Sequence, residues 1–242
     1  MKIQYISDLH LEFIDNKDVF IHVQDSDVLV IAGDLGVGES IFDYLIQLSK
    51  ERHVIFVYGN HEFYNKKPIN KLKEKGLLID KENKNLHILD KKSVVIDGVK
   101  FIGATGWIDG SFKKLNQSIY PSCNDFYQIK NFEKSYQILG KEDSKFLKSE
   151  IKKSNTKYNI MVTHFLPLID CISETYIGNI YNPCFSNNYK WVFNYSDKID
   201  YWIHGHSHEY LRKKINSIEF RRNSFGYPYE KTNFKSNEFI TI

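Results

Sequence analysis

Short β-branched and aromatic runs alternate along the chain with segments whose apolar positions recur at helical spacing. The strand-like runs are Ile3–Ser7, Val28–Ala32, Val54–Tyr58, Leu86–Leu89, Ser93–Ile96, Lys100–Thr105, Ile160–Thr163, Tyr201–His204, Tyr210–Ile215, Ile218–Arg222 and Glu238–Ile242. Glu39–Lys50 carries Ile41, Tyr44, Leu45 and Leu48 on one helical face. Further helices are expected after Pro68 as far as Gly76, over Asp143–Lys153 and over Pro183–Tyr195. Strand and helix alternate in the N-terminal half, whereas the last third is strand after strand. That order predicts an α/β fold, a β-sandwich of two packed mixed sheets flanked by helices. Residues Gly106–Asn131 fit neither period and read as a cap over a site.

Composition narrows this picture. The 242 residues suit one domain over 1–242, and 42% hydrophobic with 15% aromatic content supplies its core. No stretch approaches the roughly 20 apolar residues of a membrane helix. The net charge of +3 comes from basic pairs scattered among acids. A nucleic-acid surface concentrates its cations in a stripe, so a solvated surface is the better reading. Cys123, Cys171 and Cys184 are odd in number and lack CxxC spacing, which predicts reduced, packed thiols.

Five short signatures each follow an apolar run: Asp8-Leu9-His10, Gly33-Asp34, Gly59-Asn60-His61-Glu62, Thr163-His164 and Gly205-His206-Ser207-His208. Strand ends feeding loops are where α/β folds gather ligand groups. Carboxylates, imidazoles and one amide oxygen suit borderline divalent metals such as Mn²⁺, Fe²⁺, Zn²⁺, Co²⁺ or Ni²⁺. The x-separated pairs put both side chains on one side of an extended chain. The glycines before the ligand positions allow close backbone approach. Taken singly, each histidine is an ordinary core residue and each Asp an ordinary turn former. That bland reading fails when it must explain all of them in order.

The series resembles the calcineurin-like metallophosphoesterase superfamily, whose motifs run DxH, GD, GNH(D/E), H and GHxH. Ile6-Ser7-Asp8-Leu9-His10-Leu11-Glu12-Phe13, Trp202-Ile203-His204-Gly205-His206 and Gly226-Tyr227-Pro228 also resemble its single-domain bacterial and phage members. The resemblance implies two metal ions, manganese first among the candidates. Asp8, His10, Asp34 and His208 would hold one, and Asp34, Asn60, His164 and His206 the other, with Asp34 bridging. It implies attack on a phosphoester by a hydroxide held between the cations, with the catalytic His61 facing the substrate to protonate the leaving oxygen or stabilise the transition state. The expected partner is a small phosphoester, with no dedicated nucleic-acid domain, since 34 residues after His208 leave no room for one. A removable signal would take Asp8 and His10 with it, so a cytoplasmic protein is expected.

One departure is visible. Many members carry a second Asp three residues after Gly-Asp, which orients the catalytic histidine; here Val37 stands there. Glu39 is the candidate replacement, or else His61 acts without a carboxylate and favours diesters with good leaving groups. Glu62 and His204 are candidates for supporting the ligands, His204 being equally readable as packing. Glu12, Tyr64, Asn124, Asp125, Tyr176 and Asn179 are candidates for lining the cleft or cap, and Asn223 for a turn. His22, His53 and His87 carry no assigned role. A phosphodiesterase is the leading expectation. The rivals are a phosphomonoesterase or protein phosphatase, a nuclease, and a non-catalytic binding module on the same fold; retention of His61 argues against the last.

Overall fold

The strand-like runs become strands because most of them are covered on both faces. In the computed structural model, which describes residues 1–14, 24–114, 118–119 and 122–242, the elements run β1 (Lys2–Ile6), β2 (Val28–Ala32), α1 (Ile41–Leu48), β3 (His53–Val57), α2 (Ile69–Glu82), β4 (Leu86–Ile88), β5 (Lys92–Ile96), β6 (Val99–Gly103), α3 (Asp125–Gln128), α4 (Phe132–Lys153), β7 (Tyr158–Val162), β8 (Tyr201–Ile203), β9 (Tyr210–Ile215), β10 (Ile218–Asn223) and β11 (Phe239–Thr241). Every expected strand is present within two residues of its expected ends.

The first sheet has the order β11-β1-β2-β3-β4, parallel except for β11; the second has the order β5-β6-β7-β8-β10-β9, parallel from β6 through β10. Ile3, Tyr5, Val28, Val30, Ile55 and Val57 of the first sheet meet Phe101, Ile160, Val162 and Ile203 of the second. The opposite face of the first sheet, Leu29, Ile31, Val54 and Phe56, packs with Ile41, Phe42, Leu45 and Leu48 of α1 and Leu72 of α2. Ile102, Met161, Trp202 and Phe220 pack with Leu147 and Ile151 of α4 on the far side. Each such fully buried side chain contributes about 1.5–3 kcal/mol of transfer free energy. The expected sandwich flanked by helices is the observed one.

Three helix expectations need correction. α2 continues past Gly76 to Glu82 because this glycine is a packing residue, not a cap. A Cβ there would sit 1.9 Å from the Tyr58 hydroxyl, so its absence lets the helix lie on β3. α4 begins at Phe132, not Asp143. Its buried stripe of Phe132, Tyr136, Gly140, Asp143, Leu147 and Ile151 includes a glycine and an acid that hide the apolar period. Residues 183–195 form two separate 3-10 turns, Asn182–Cys184 and Lys190–Tyr195, rather than a helix. Between them Ser186 bridges Leu166, and the Asn187 amide bonds the Gly106 carbonyl at 2.9 Å.

The expected cap divides. Gly106–Ile108 belongs to the core, with Trp107 fully buried. Ser122–Asp125 does reach the site; residues 115–117 and 120–121 lie outside the described residues, as does His22. Cys123 and Cys184 are joined as a disulfide, contrary to the expectation of three reduced thiols. They lie 61 residues apart on segments that only the tertiary fold brings together, which spacing along the chain could not reveal. Cys171 is free and buried, and burial pushes its thiol up to about 12. Asn223 is no turn residue: it ends β10, and its amide donates to the carbonyls of Tyr5 and Lys235. Among the described residues no helix is long and apolar enough to cross a membrane.

Candidate metal centre

All five signatures leave the C-terminal ends of strands on the same rim of the sandwich: β1 delivers Asp8 and His10, β2 Asp34, β3 Asn60 and His61, β7 His164, and β8 His206 and His208. The chain turns sharply at these places. Asp8, His10, Asp34 and His206 have φ of 55°, 48°, 51° and 69°, the left-handed region that costs most residues about 1–2 kcal/mol and that Asp and His tolerate better than most. Two glycines make the approach possible. A Cβ on Gly33 would stand 2.5 Å from His164 Nδ1, and one on Gly59 2.1 Å from Asp34 Oδ1.

The donor atoms converge. His10 Nε2 and His208 Nε2 are 3.1 Å apart, and His208 Nε2 is 3.5 Å from Asp8 Oδ1. His164 Nε2 lies 3.2 Å from Asp34 Oδ2, 2.9 Å from Asn60 Oδ1 and 3.1 Å from His206 Nδ1. Asp34 Oδ2 is 4.0 Å from His10 Nε2, which links the two groups. Asp8, His10 and His208 thus form one triad of potential ligand atoms within 4.8 Å of one another, and Asp34, His164 and His206 a second.

The ring orientations fit metal binding. His164 Nδ1 donates to the Ala32 carbonyl at 2.9 Å, His208 Nδ1 to Glu230 Oε2 at 2.6 Å, and His10 Nδ1 to Glu12 Oε1 at 3.3 Å. Each bond leaves the Nε2 lone pair turned to the centre, the tautomer a metal needs. Asp8 is held by the hydroxyls of Ser7 and Ser224 and by the His206 amide. Burial opposes ionisation of Asp8 and Asp34, but the surrounding histidines hold both carboxyls well below the ordinary range. The same pairing works in reverse on the imidazoles: burial resists their charging, yet Asp34 brings His164 to about 10, and Asp8 and Glu230 bring His208 to about 9. Burial, helped by the charges of His164 and His208, pushes His206 well down.

A profile described as Calcineurin-like phosphoesterase matches residues 1–210. The chain belongs to this family. Along the whole phosphoesterase, "Uncharacterized protein L509" of Acanthamoeba polyphaga mimivirus is 29% identical over 272 residues, covering 99% of this chain and 96% of the viral protein. Among solved structures, the phosphopantetheinyl hydrolase PptH of Mycobacterium tuberculosis superposes with a TM-score of 0.73 at 18% identity, over 94% of this chain and 90% of that one. At that identity the likeness speaks for the fold alone.

His61 of the phosphoesterase sits beside the second triad. Its backbone N–H donates to Asp34 Oδ1 at 2.9 Å, its Nδ1 to Glu12 Oε1 at 2.7 Å, and its Nε2 is 3.3 Å from the Tyr227 hydroxyl. Burial works against its charged form, but Asp34, Glu12 and Glu62 together raise its pKa. The expected Glu39 plays no part: it is exposed and bonded to Lys75 at 2.5 Å, while Val37 packs on the core. The carboxylate comes from Glu12 instead, so the premise that His61 lacks one is overturned. Glu12 stands two residues beyond His10, the same spacing that pairs Asp8 with His10, and that was the overlooked signal. Tyr227, whose ring centroid lies 4.6 Å from that of His10 and 4.7 Å from that of His208, and Glu230 are further site residues; the family resemblance marked Gly226-Tyr227-Pro228 without giving it a role, and nothing marked Glu230.

Glu62 is fully buried and accepts the backbone N–H groups of Asp34, Leu35, Gly36 and Gly59, tying the β2 and β3 loops together. Asp125 Oδ1 accepts from Asn60 Nδ2 and from the Tyr64 hydroxyl, both at 2.8 Å. It therefore lines the cleft, as expected, and also holds Asn60 in place. His204 is buried, its ring bonds the Gly205 carbonyl at 3.3 Å, and among the described residues Nε2 has no partner, which fits packing better than ligand support. Asn124, Tyr176 and Asn179 line a chamber of about 560 Å³ that opens from the metal centre, with the Cys123–Cys184 bond joining two of its walls.

Proposed function

We propose that this chain is a two-metal phosphodiesterase, with Mn²⁺ the favoured ion. The observation that carries the reading is the meeting of two donor triads at Asp34 with His61 against the same carboxylate. Asp8, His10, Asp34 and His208 would hold one cation; Asp34, Asn60, His164 and His206 would hold the other. Bound there, the cations supply Lewis acidity that lowers the pKa of water and neutralises phosphoryl oxygens.

The chain's own residues do the rest. Asp125 and Tyr64 engage the Asn60 amide nitrogen, so that its oxygen faces the centre. Glu12 holds His61 through Nδ1 and favours its protonated form, leaving Nε2 to pass a proton to the departing ester oxygen. Tyr227 steadies that Nε2 until substrate takes its place. The preference for diesters rests on charge. Among the described residues around the chamber none is Lys or Arg, so His61 is the chain's principal cationic group beyond the metals. A diester monoanion demands less compensation than a monoester dianion. Because the fold neighbour is a phosphopantetheinyl hydrolase, phosphopantetheinyl esters are a natural inclusion in a substrate panel.

The test is turnover of bis-p-nitrophenyl phosphate by the Mn²⁺-loaded chain, wild type against His61→Gln and Asp34→Asn, with elemental analysis of bound metal. Loss of turnover in both variants and two ions per wild-type chain are expected. Undiminished turnover in Asp34→Asn would sink the reading, and a single bound ion would sink its dinuclear part.

A further inference from the structure

The chamber beyond the metal centre has a chemical character of its own. Part of its lining is aromatic: Phe185, with its ring centroid 5.0 Å from that of His206, together with Tyr176, Tyr181 and Tyr227. The lining also presents amides and hydroxyls, among them Asn124, Ser122 and Asn182. Among the described residues that line the chamber, the charged side chains outside the candidate metal cluster and His61 are all acidic. Asp125 is buried against Asn60 and Tyr64, Glu230 is bonded to His208, and Glu209 has Arg222 at 3.8 Å behind it. A second phosphate or a carboxylate on the substrate would meet these acids with no counter-ion beside it, and burying an unpaired charge is costly. Flat rings and amides, by contrast, suit an uncharged arm with a planar or apolar body and hydrogen-bonding edges.

We infer that the site selects diesters bearing a single phosphoryl group joined to an uncharged, hydrogen-bonding organic arm, and discriminates against arms that carry a second phosphate. This rests on the phosphodiesterase reading and narrows it. The arm packs on the aromatic lining of Phe185 and Tyr176 while its polar edge meets Asn124. The phosphoryl group stays at the rim where β2, β3, β7 and β8 end.

A matched pair of substrates isolates the effect: thymidine 5′-(p-nitrophenyl phosphate) and the same compound phosphorylated at the 3′ hydroxyl. Leaving group and arm are identical, and only the extra phosphate differs. With the Mn²⁺-loaded full chain, the 3′-phosphate is expected to lower kcat/KM at least about tenfold, chiefly through KM. Calorimetry should find thymidine 5′-phosphate binding at least about tenfold tighter than thymidine 3′,5′-bisphosphate. Tyr176→Lys, or Asn179→Lys should the first variant fold poorly, places a cation on the chamber wall and should reduce the discrimination at least about fivefold. Equal kcat/KM and equal affinity for the two members of each pair would overturn this inference while turnover of bis-p-nitrophenyl phosphate leaves the phosphodiesterase reading standing. A ratio unchanged in both lysine variants also overturns it. No turnover of any of the esters overturns both.

Discussion

Replacing Glu12 by Gln keeps the length of the side chain and removes only its charge, which makes it a sharp test of how His61 is held. In the wild-type protein the Glu12 carboxylate accepts from His61 Nδ1 at 2.7 Å and, more loosely, from His10 Nδ1 at 3.3 Å. Burial opposes its ionisation, but the bonds from His10 and His61 hold its carboxyl at about 2, so it is charged at any working pH. A hydrogen bond to a charged acceptor is worth about 1.5–3 kcal/mol net against about 1 kcal/mol for a neutral one. The longer contact to His10 adds little, so the substitution weakens support for protonated His61 by about 1–2 kcal/mol. If that support is used in the transition state, the rate falls about 5- to 30-fold. The loss must depend on the leaving group. A departing p-nitrophenolate needs little protonation, whereas a departing alkoxide needs it fully. Glu12→Gln should therefore cost less than about threefold in kcat with bis-p-nitrophenyl phosphate and the full factor with a methyl or alkyl leaving group. The alkaline limb of the pH–rate profile should shift to lower pH, because Glu12 helps to raise the His61 pKa. Steady-state kinetics across a series of aryl and alkyl diesters reads both. An equal loss for every leaving group with an unmoved pH profile would refute the reasoning and leave Glu12 as a support for His10 alone.

Asp125→Ala frees the Asn60 amide to rotate, and should weaken one of two Mn²⁺ sites by about 10- to 100-fold while circular dichroism stays unchanged; a Mn²⁺ titration followed by calorimetry checks it. Carboxylates hold His164 at about 10 and His208 at about 9, so both carry protons at pH 7 in the metal-free protein. Metal uptake must then release protons and tighten as pH rises, and calorimetry in buffers of different ionisation enthalpy should give a clear slope; a flat response contradicts the assignment. Burial raises Asp143 from 3.8 to about 6, despite N–H groups of Gly106 and Trp107 bonded to its carboxylate. A folded-state pKa above the unfolded value means that stability is fully present below about 3.8 and is lost as pH rises through about 6, amounting to about 3 kcal/mol. The difference in unfolding free energy between wild type and Asp143→Asn should therefore change by that order between pH 3.5 and pH 7, read from urea melts; a difference constant across that window would show Asp143 to titrate normally.

Local information carried far in this chain. Most of the strands among the described residues were visible because a strand covered on both faces must be apolar along its length, as Val28–Ala32 is at every position. The candidate metal centre was visible because each proposed ligand stands within a few residues of a strand end, so Asp8, Asp34, Asn60, His164 and His206 each stood out beside an apolar run. Relations between distant segments had no such local mark. Gly76 read as a helix end until the side chains of Tyr58 and Phe42 against it were known, Gly140 hid the apolar period of α4 by making room for the backbone at Trp107 and Ile108, and the two cysteines paired across 61 residues. The carboxylate on His61 came from Glu12, 49 residues earlier, not from nearby Glu39. A short-range pattern records which face of an element is buried, since solvent acts on each residue separately. Which acid reaches which imidazole depends on how two loops from different strands are set beside each other, and that is decided by packing summed over the whole sandwich.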